Sequence, residues 1–188
     1  MKKVEIKSKS TIMIEDYPFH ESLKDDMVSI LENYPDKQEW KTNVKATMTE
    51  WAWQEDNPRV KRLKESVMKF VNDFIFMNSD SNFRETWDLK WTDFWGNVYR
   101  QGEYAKSHHH LPSTFSFVYF LKSQWNDSPL VFSDFGHTIR PKQGRYVIFP
   151  SHLKHHVPPQ KSKNIRMTLS GNMICTFKRK IYNTLWES

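Results

Sequence analysis

A chain of 188 residues has the length of about one compact domain and enough material to bury a real core. Its 38% hydrophobic and 15% aromatic content excludes a disordered protein, and a single cysteine, Cys175, excludes an internal disulfide and fits a reducing compartment as a buried apolar residue. The 28 basic residues against 22 acidic ones leave a net charge of +6. Much of that excess (Lys2, Lys3, Lys7, Lys9, Lys178, Arg179 and Lys180) sits near the two ends, so nucleic acid is set aside as the main target.

The opening MKKVEIKSKS has the basic residues of a leader but no apolar run after them, and nothing later approaches the roughly 18 apolar residues of a membrane span. The expectation is a cytoplasmic protein, in the host cytoplasm if it is phage-encoded. From Glu21 to Asn33 the positions Leu23, Met27, Val28, Ile30 and Leu31 recur at three- and four-residue steps, which predicts an amphipathic helix ending before Pro35. A second helix is expected from Asn57 and Pro58, with Val60, Leu63, Val67, Phe70, Val71 and Phe74 on one face, packed on a sheet. Trp40, Trp51 and Trp53 lie between the helices, and the sequence leaves open whether they join the core or line a substrate groove.

After Trp87 the texture changes to short β-rich runs: Leu89 to Arg100, Thr114 to Leu121, Leu130 to Phe132, Arg145 to Phe149 and Ile165 to Ile174. Short strands at regular spacing without intervening helices predict a mainly β, α+β fold: a double-stranded β-helix, or jelly roll, with the N-terminal helices packed on one sheet. One domain is expected over 1–188, divided into helical support over 1–88, a β core over 89–176 and a tail over 177–188.

Six of the eight histidines fall in two short windows: His108, His109 and His110, then His152, His155 and His156. Neutral imidazole is the commonest protein ligand for iron, copper, nickel and zinc, and alternation along a strand sends His108 and His110 one way and His109 the other. His108 and His110 are therefore the first two candidate ligands. Only one histidine of the second window is expected to join them, because a catalytic centre with three protein ligands keeps positions open. His109, His152 and His156 are expected behind the ligands or facing solvent, and His20 and His137 receive no role.

The string Tyr99-x-x-Gly102-x-Tyr104-x-x-x-His108, followed by His155 and Arg166, resembles the 2-oxoglutarate and Fe(II)-dependent dioxygenases, with the Tyr99 to His108 spacing of their prolyl 4-hydroxylase-like branch. The run from His110 through Ser116, Tyr119, Pro141, Gly144, Phe149-Pro150-Ser151, His155 and Arg166-Met-Thr168-Leu-Ser170-x-Asn172 is similar to an oxygenase family of bacteria and their phages. This likeness is strong over 92–174 and loose in the front half. It implies Fe(II), 2-oxoglutarate and O2, with His108, His110 and His155 as metal ligands and His155 as the distal one. It implies Arg166, Thr168, Tyr99, Tyr119 and Asn97 around the cosubstrate, Arg166 and Tyr99 holding its far carboxylate. Decarboxylation of 2-oxoglutarate to succinate would then be coupled to oxidation of a substrate, by hydroxylation.

Position 110 departs from the superfamily's usual Asp or Glu; His110 leaves the centre one unit more positive, and the alternatives are a carboxylate from elsewhere, Asp134 being the nearest, or an empty third protein position. The substrate is open between a peptidyl proline and a small molecule, with Trp95, Trp125 and Trp53 as candidate contacts, and a homodimer is left open. Two other readings use the same residues. A cupin-type metalloprotein without 2-oxoglutarate dependence, an isomerase or binder, would have no use for Arg166 and Thr168. A non-catalytic binding module would show no iron affinity.

Overall fold

The computed structural model describes residues 9–35, 42–77 and 86–178. Lys2, Lys3, Lys7, Trp40, Arg179 and Lys180, with nearly all of the tail expected over 177–188, lie outside the described residues.

Two helices form where apolar spacing requires them. α1 spans His20–Glu32 and buries Leu23, Met27 and Leu31. α2 spans Pro58–Met77, and the Asn57 side-chain oxygen caps it by accepting from the Arg59 amide at 2.9 Å. Val60, Leu63, Val67 and Val71 form its buried face. Burying each such side chain contributes about 1.5–3 kcal/mol, which makes this stripe structural, as expected.

The strands are β1 (Met13–Asp16), β2 (Val44–Lys45), β3 (Thr47–Met48), β4 (Trp87–Tyr99), β5 (Tyr104–His108), β6 (Phe115–Lys122), β7 (Leu130–Phe132), β8 (His137–Ile139), β9 (Arg145–Pro150), β10 (His155–Val157) and β11 (Arg166–Phe177). They make a larger antiparallel sheet, β1-β9-β6-β11-β4-β3, and a smaller one, β2-β5-β10-β7-β8. This is the expected jelly roll, and the helices pack on the outer face of the larger sheet, where Leu23, Met27, Leu31 and the α2 stripe meet Phe94, Phe117, Leu169 and Met173. Gly96 of β4 allows the approach of α1: a Cβ there would stand 2.5 Å from a methyl of Leu31.

The front half is less purely helical than expected, since it also supplies β1 and β3 as the two edges of the larger sheet and β2 as an edge of the smaller one. Segments of two to four residues carry too little alternation to announce themselves; they are strands because a long partner offers them a ladder. The three-residue strands β8 and β10 are as silent in the sequence, and they pair with neighbours that are themselves short, β7 for the one and β5 and β7 for the other.

Between the sheets, two apolar clusters leave a polar gap. One gathers Val118, Phe120, Phe132, Val147, Phe149 and Leu153; the other gathers Val44, Met48, Trp95, Tyr99, Ala105 and Val157. The long β4 and β11 pair runs past both, with Arg166 opposite Tyr99, Thr168 opposite Asn97, Ser170 opposite Trp95 and Asn172 opposite Asp93. Among the described residues, no helix is long and apolar enough to cross a membrane.

Candidate active site

His108 ends β5 and His155 begins β10, and the two are direct partners across the ladder. Ala105 faces the interior opposite Val157, so strict alternation would turn His108 outward. One extra residue on β5 between these two pairs corrects the parity. His110 lies beyond the strand end, so its alignment with His108 does not come from an extended H-x-H strand. Backbone bonds hold it instead: its amide donates to Ser151 O at 2.9 Å and its carbonyl accepts from the Ser113 amide at 2.9 Å.

One ring nitrogen from each of His108, His110 and His155 lies within 4.8 Å of the others. Two of the three rings are oriented by main-chain carbonyls. His108 Nδ1 donates to Lys106 O at 2.6 Å and His155 Nδ1 to Leu153 O at 3.0 Å, which leaves each Nε2 with its lone pair free for a metal. The His110 ring has the amide nitrogen of Asn172 3.5 Å from its Nδ1, and that amide donates to Asp93 Oδ1 at 2.6 Å. Burial, then the neighbouring imidazoles, pushes the pKa values of His110 and His155 down to about 3, and burial lowers that of His108. Neutral rings are the metal-binding form, so the donor set fits a divalent cation without first losing protons.

The histidines line one side of a narrow cavity of about 40 Å³ whose wall includes Asn97, Tyr99, Arg166, Thr168 and Ser170. Arg166 is 1% exposed, and none of its three guanidinium nitrogens has a well-aligned hydrogen-bond acceptor among the described residues, the Tyr99 hydroxyl being its nearest polar neighbour and no carboxylate pairing with it. Its guanidinium carbon sits 4.8 Å from the Tyr99 ring centre and 5.4 Å from that of Phe120. Asp127 is the buried acid whose field reaches Arg166. Its oxygens are already engaged by Gln160 Nε2, Ser162 Oγ and the Gln124 amide, each at 2.7 Å. A buried cation in this state calls for an anion delivered from outside the fold. Asn97 donates to Thr168 Oγ1 at 3.3 Å and Ser170 Oγ at 3.1 Å, and its own Oδ1 is left without a partner.

Of the residues expected in the site, the fold brings together His108, His110, His155, Arg166, Tyr99, Thr168 and Asn97. Tyr119 is a correction. It sits on the helix-facing side of β6, fully buried with its hydroxyl against His20 Nδ1, because Ser116, Val118 and Phe120 take the inward positions of that strand. Asp134 is exposed in the turn after β7 and is not among the clustered donors. His109 and His152 are exposed, and His156 bonds Ser133 Oγ at 2.9 Å. Trp53 belongs to the helix-side core and Trp125 is 77% exposed, whereas Trp95 lies against the His110 ring. Sequence reasoning assigned no role to the chain of contacts behind His110, in which Ser116 Oγ bonds both Asn172 Oδ1 and Ser151 Oγ at 2.8 Å. Its signal was available: Arg166, Thr168, Ser170 and Asn172 are polar at every second position of an otherwise apolar strand.

An antiparallel jelly roll thus brings a partly buried three-histidine cluster that could hold one metal ion beside a buried arginine. Residues 133–172, which carry His155, Arg166, Thr168 and Asn172, match the family described as "Putative 2OG-Fe(II) oxygenase". The fold resembles the viral collagen prolyl hydroxylase of Paramecium bursaria Chlorella virus-1 in its 2-oxoglutarate complex, at TM-score 0.65 and 14% identity over 86% of this chain and 94% of that one. It also resembles a Pseudomonas putida prolyl-4-hydroxylase, at TM-score 0.61 and 16% identity over 91% and 94%. A third similar structure is HygX from Streptomyces hygroscopicus with nickel and 2-oxoglutarate bound, at TM-score 0.61 and 10% identity over 87% and 82%. At these identities the likeness is one of fold, and no curated protein matches by sequence. Matched segment, fold and donor set point the same way: residues 133–172 match a 2OG-Fe(II) oxygenase family, the fold is shared with structures of that class, and the three histidines could hold a metal ion.

Proposed function

We propose that His108, His110 and His155 hold Fe(II), that Arg166 with Tyr99 holds the far carboxylate of 2-oxoglutarate, and that the protein hydroxylates a peptidyl proline. The observation that carries the reading is the Arg166 guanidinium, buried and unpartnered in the cavity that the three histidines border. A cupin-type metal site has no need of such a group, and a binding module gains nothing from keeping it unpaired. Support for a prolyl target comes from the Tyr99 to His108 spacing and from two similar structures being prolyl hydroxylases.

Fe(II), 2-oxoglutarate and O2 together would supply the oxidising chemistry, O2 being the oxidant: one of its atoms would enter succinate as 2-oxoglutarate loses CO2, and the other would enter the substrate C–H bond. The chain's own residues provide position and environment. The Lys106 and Leu153 carbonyls keep the Nδ1 protons of His108 and His155 in place, so both Nε2 atoms face the centre. Arg166 orients a dicarboxylate by a two-point contact with one end, which leaves the other end for the metal. Phe149, edge-on to His155 at 4.7 Å between ring centres, and Phe132 beyond it exclude water from that side. With three neutral ligands the protein adds no charge to the divalent ion, so the carboxylates of 2-oxoglutarate meet the full +2.

The test is an anaerobic titration of metal-free protein with Fe(II) and then 2-oxoglutarate, following the visible charge-transfer band of a 2-oxo acid chelated to iron. The band is expected in the wild type and is expected to weaken at least about tenfold in cosubstrate affinity in Arg166→Met. Iron binding without a band would favour the cupin reading, and no iron binding would end both.

A further inference from the structure

Outside the histidine cluster the interior opens into a groove of about 690 Å³, whose lining includes Asn43, Lys45, Trp51, Trp95, Lys106 and His109. Val44, Trp95, His108 and His110 border both the groove and the inner cavity, so whatever lies in the groove reaches the metal ligands. Small-ligand pockets run to roughly 300–1,000 Å³; the inner cavity is far smaller, and the groove lies in that range, with room for a short segment of chain.

Three features describe what it would hold. Among the described residues, two lysines and no acid line the groove, and no carboxylate pairs with Lys45 or Lys106. Lys122 and Lys142 elsewhere hold Glu32 and Asp16, each at 2.5 Å. Trp51 is 46% exposed and meets Trp95 edge to face at 4.8 Å, an aromatic surface that ends beside His110. Trp95 is 4% exposed, yet its indole N–H has no partner. A buried donor without an acceptor costs stability, and a bound backbone carbonyl would relieve it.

We propose that this groove binds an acidic peptide segment, with Lys45 and Lys106 receiving carboxylates and Trp51 and Trp95 receiving the apolar residue presented to the centre. Extended proline-containing segments dock on aromatic-lined grooves because their backbone is pre-ordered. A single-stranded nucleic acid would also use aromatic rings and cations, but it asks for a row of cations along its backbone, and this groove has two. The inference rests on the oxygenase reading for its substrate role but not for its binding.

Labelled peptides of alternating Pro-Asp, Pro-Lys and Pro-Ala and a labelled oligothymidine are the probes, titrated by fluorescence anisotropy onto the full chain with Fe(II) and 2-oxoglutarate under anaerobic conditions. The Pro-Asp peptide is expected to bind at least about tenfold tighter than Pro-Lys, more weakly as salt rises, and to lose that lead in a Lys45→Glu, Lys106→Glu variant. Trp51→Ala is expected to weaken all three peptides several-fold, which a purely electrostatic surface would not do. Equal binding of acidic and basic peptides, tighter binding of oligothymidine, or a preference unchanged in the double variant would overturn the proposal. The charge-transfer band on the same sample reports separately on the oxygenase reading.

Discussion

The two faces of the β4 and β11 pair share one backbone and divide its duties. Toward the helices, Met167, Leu169 and Met173 are fully buried in apolar packing with α1 and α2. Toward the interior, Arg166, Thr168, Ser170 and Asn172 are buried as deeply but are polar. Neighbouring residues on one strand thus point into opposite environments, one closed by hydrophobic contact and the other open to a ligand. The helix face supplies stability, and the interior face is the one proposed to bind the cosubstrate. The interior face also carries the strain of a buried unpartnered cation, a cost of the kind that functional sites impose on a fold.

The largest effect on stability is expected from the helix face. Leu169→Ala should cost about 2–5 kcal/mol, because the packed helices cannot collapse into the space left behind. For a chain of this size that is a fall in Tm of about 4–20 °C by thermal denaturation. The charge-transfer band should survive well below the transition, and its loss at low temperature would show that the two faces are not separable.

Acidification acts on the interior face. The folded-state pKa values of His110 and His155 lie near 3, far below the roughly 6.5 of an unfolded histidine. Between those values the unfolded chain binds more protons than the folded one, so the metal-free protein loses stability as pH falls from about 6.5 toward 3 and holds it in full above that window. Chemical denaturation at stepped pH should show this slope, and His110→Gln should flatten it. A wild-type profile flat down to pH 4 would contradict the buried neutral rings.

Two smaller effects separate the faces most sharply. Arg166→Met removes the unpartnered charge and should leave the ligand-free protein as stable or more stable, even as cosubstrate binding is lost. A large destabilisation would mean that Arg166 is a structural residue. Thr168→Val keeps the volume while deleting the hydroxyl beside Asn97, and should change Tm by only a few degrees while weakening 2-oxoglutarate in the band titration. Side by side, Leu169→Ala and Thr168→Val place the division of duties on adjacent residues.

Much of this was legible in the chain itself. The α1 and α2 stripes, the cap at Asn57 and the strands β4, β6, β7, β9 and β11 follow from local pattern, whereas β5, which carries His108, was not among the expected runs; the clustered histidines with Arg166 mark the chemistry. Tyr119 shows where local reading ends: a tyrosine in the middle of a site-bearing strand looks available until the parity of β6 is known, and one residue of register puts it against His20 instead. The separation of Trp51 and Trp95 from Trp53 has the same origin, since side chains of one type in one stretch are sorted by which surface lies over them.

Taken alone, the amino-acid sequence determined the residue types and their spacing: a jelly-roll alternation, neutral donors in two windows, and a strand with a charged residue at its head. Tertiary structure decided which of these meet. The bulge in β5 turns His108 inward against His155, the Ser151 carbonyl holds His110 beside them, and Asp127 is engaged elsewhere so that Arg166 is left for a ligand. The physical reason is that periodicity is a local property of the chain. Register, bulges and the pairing of buried charges are settled between segments far apart in it, by the requirement that each buried polar group find a partner or serve a purpose.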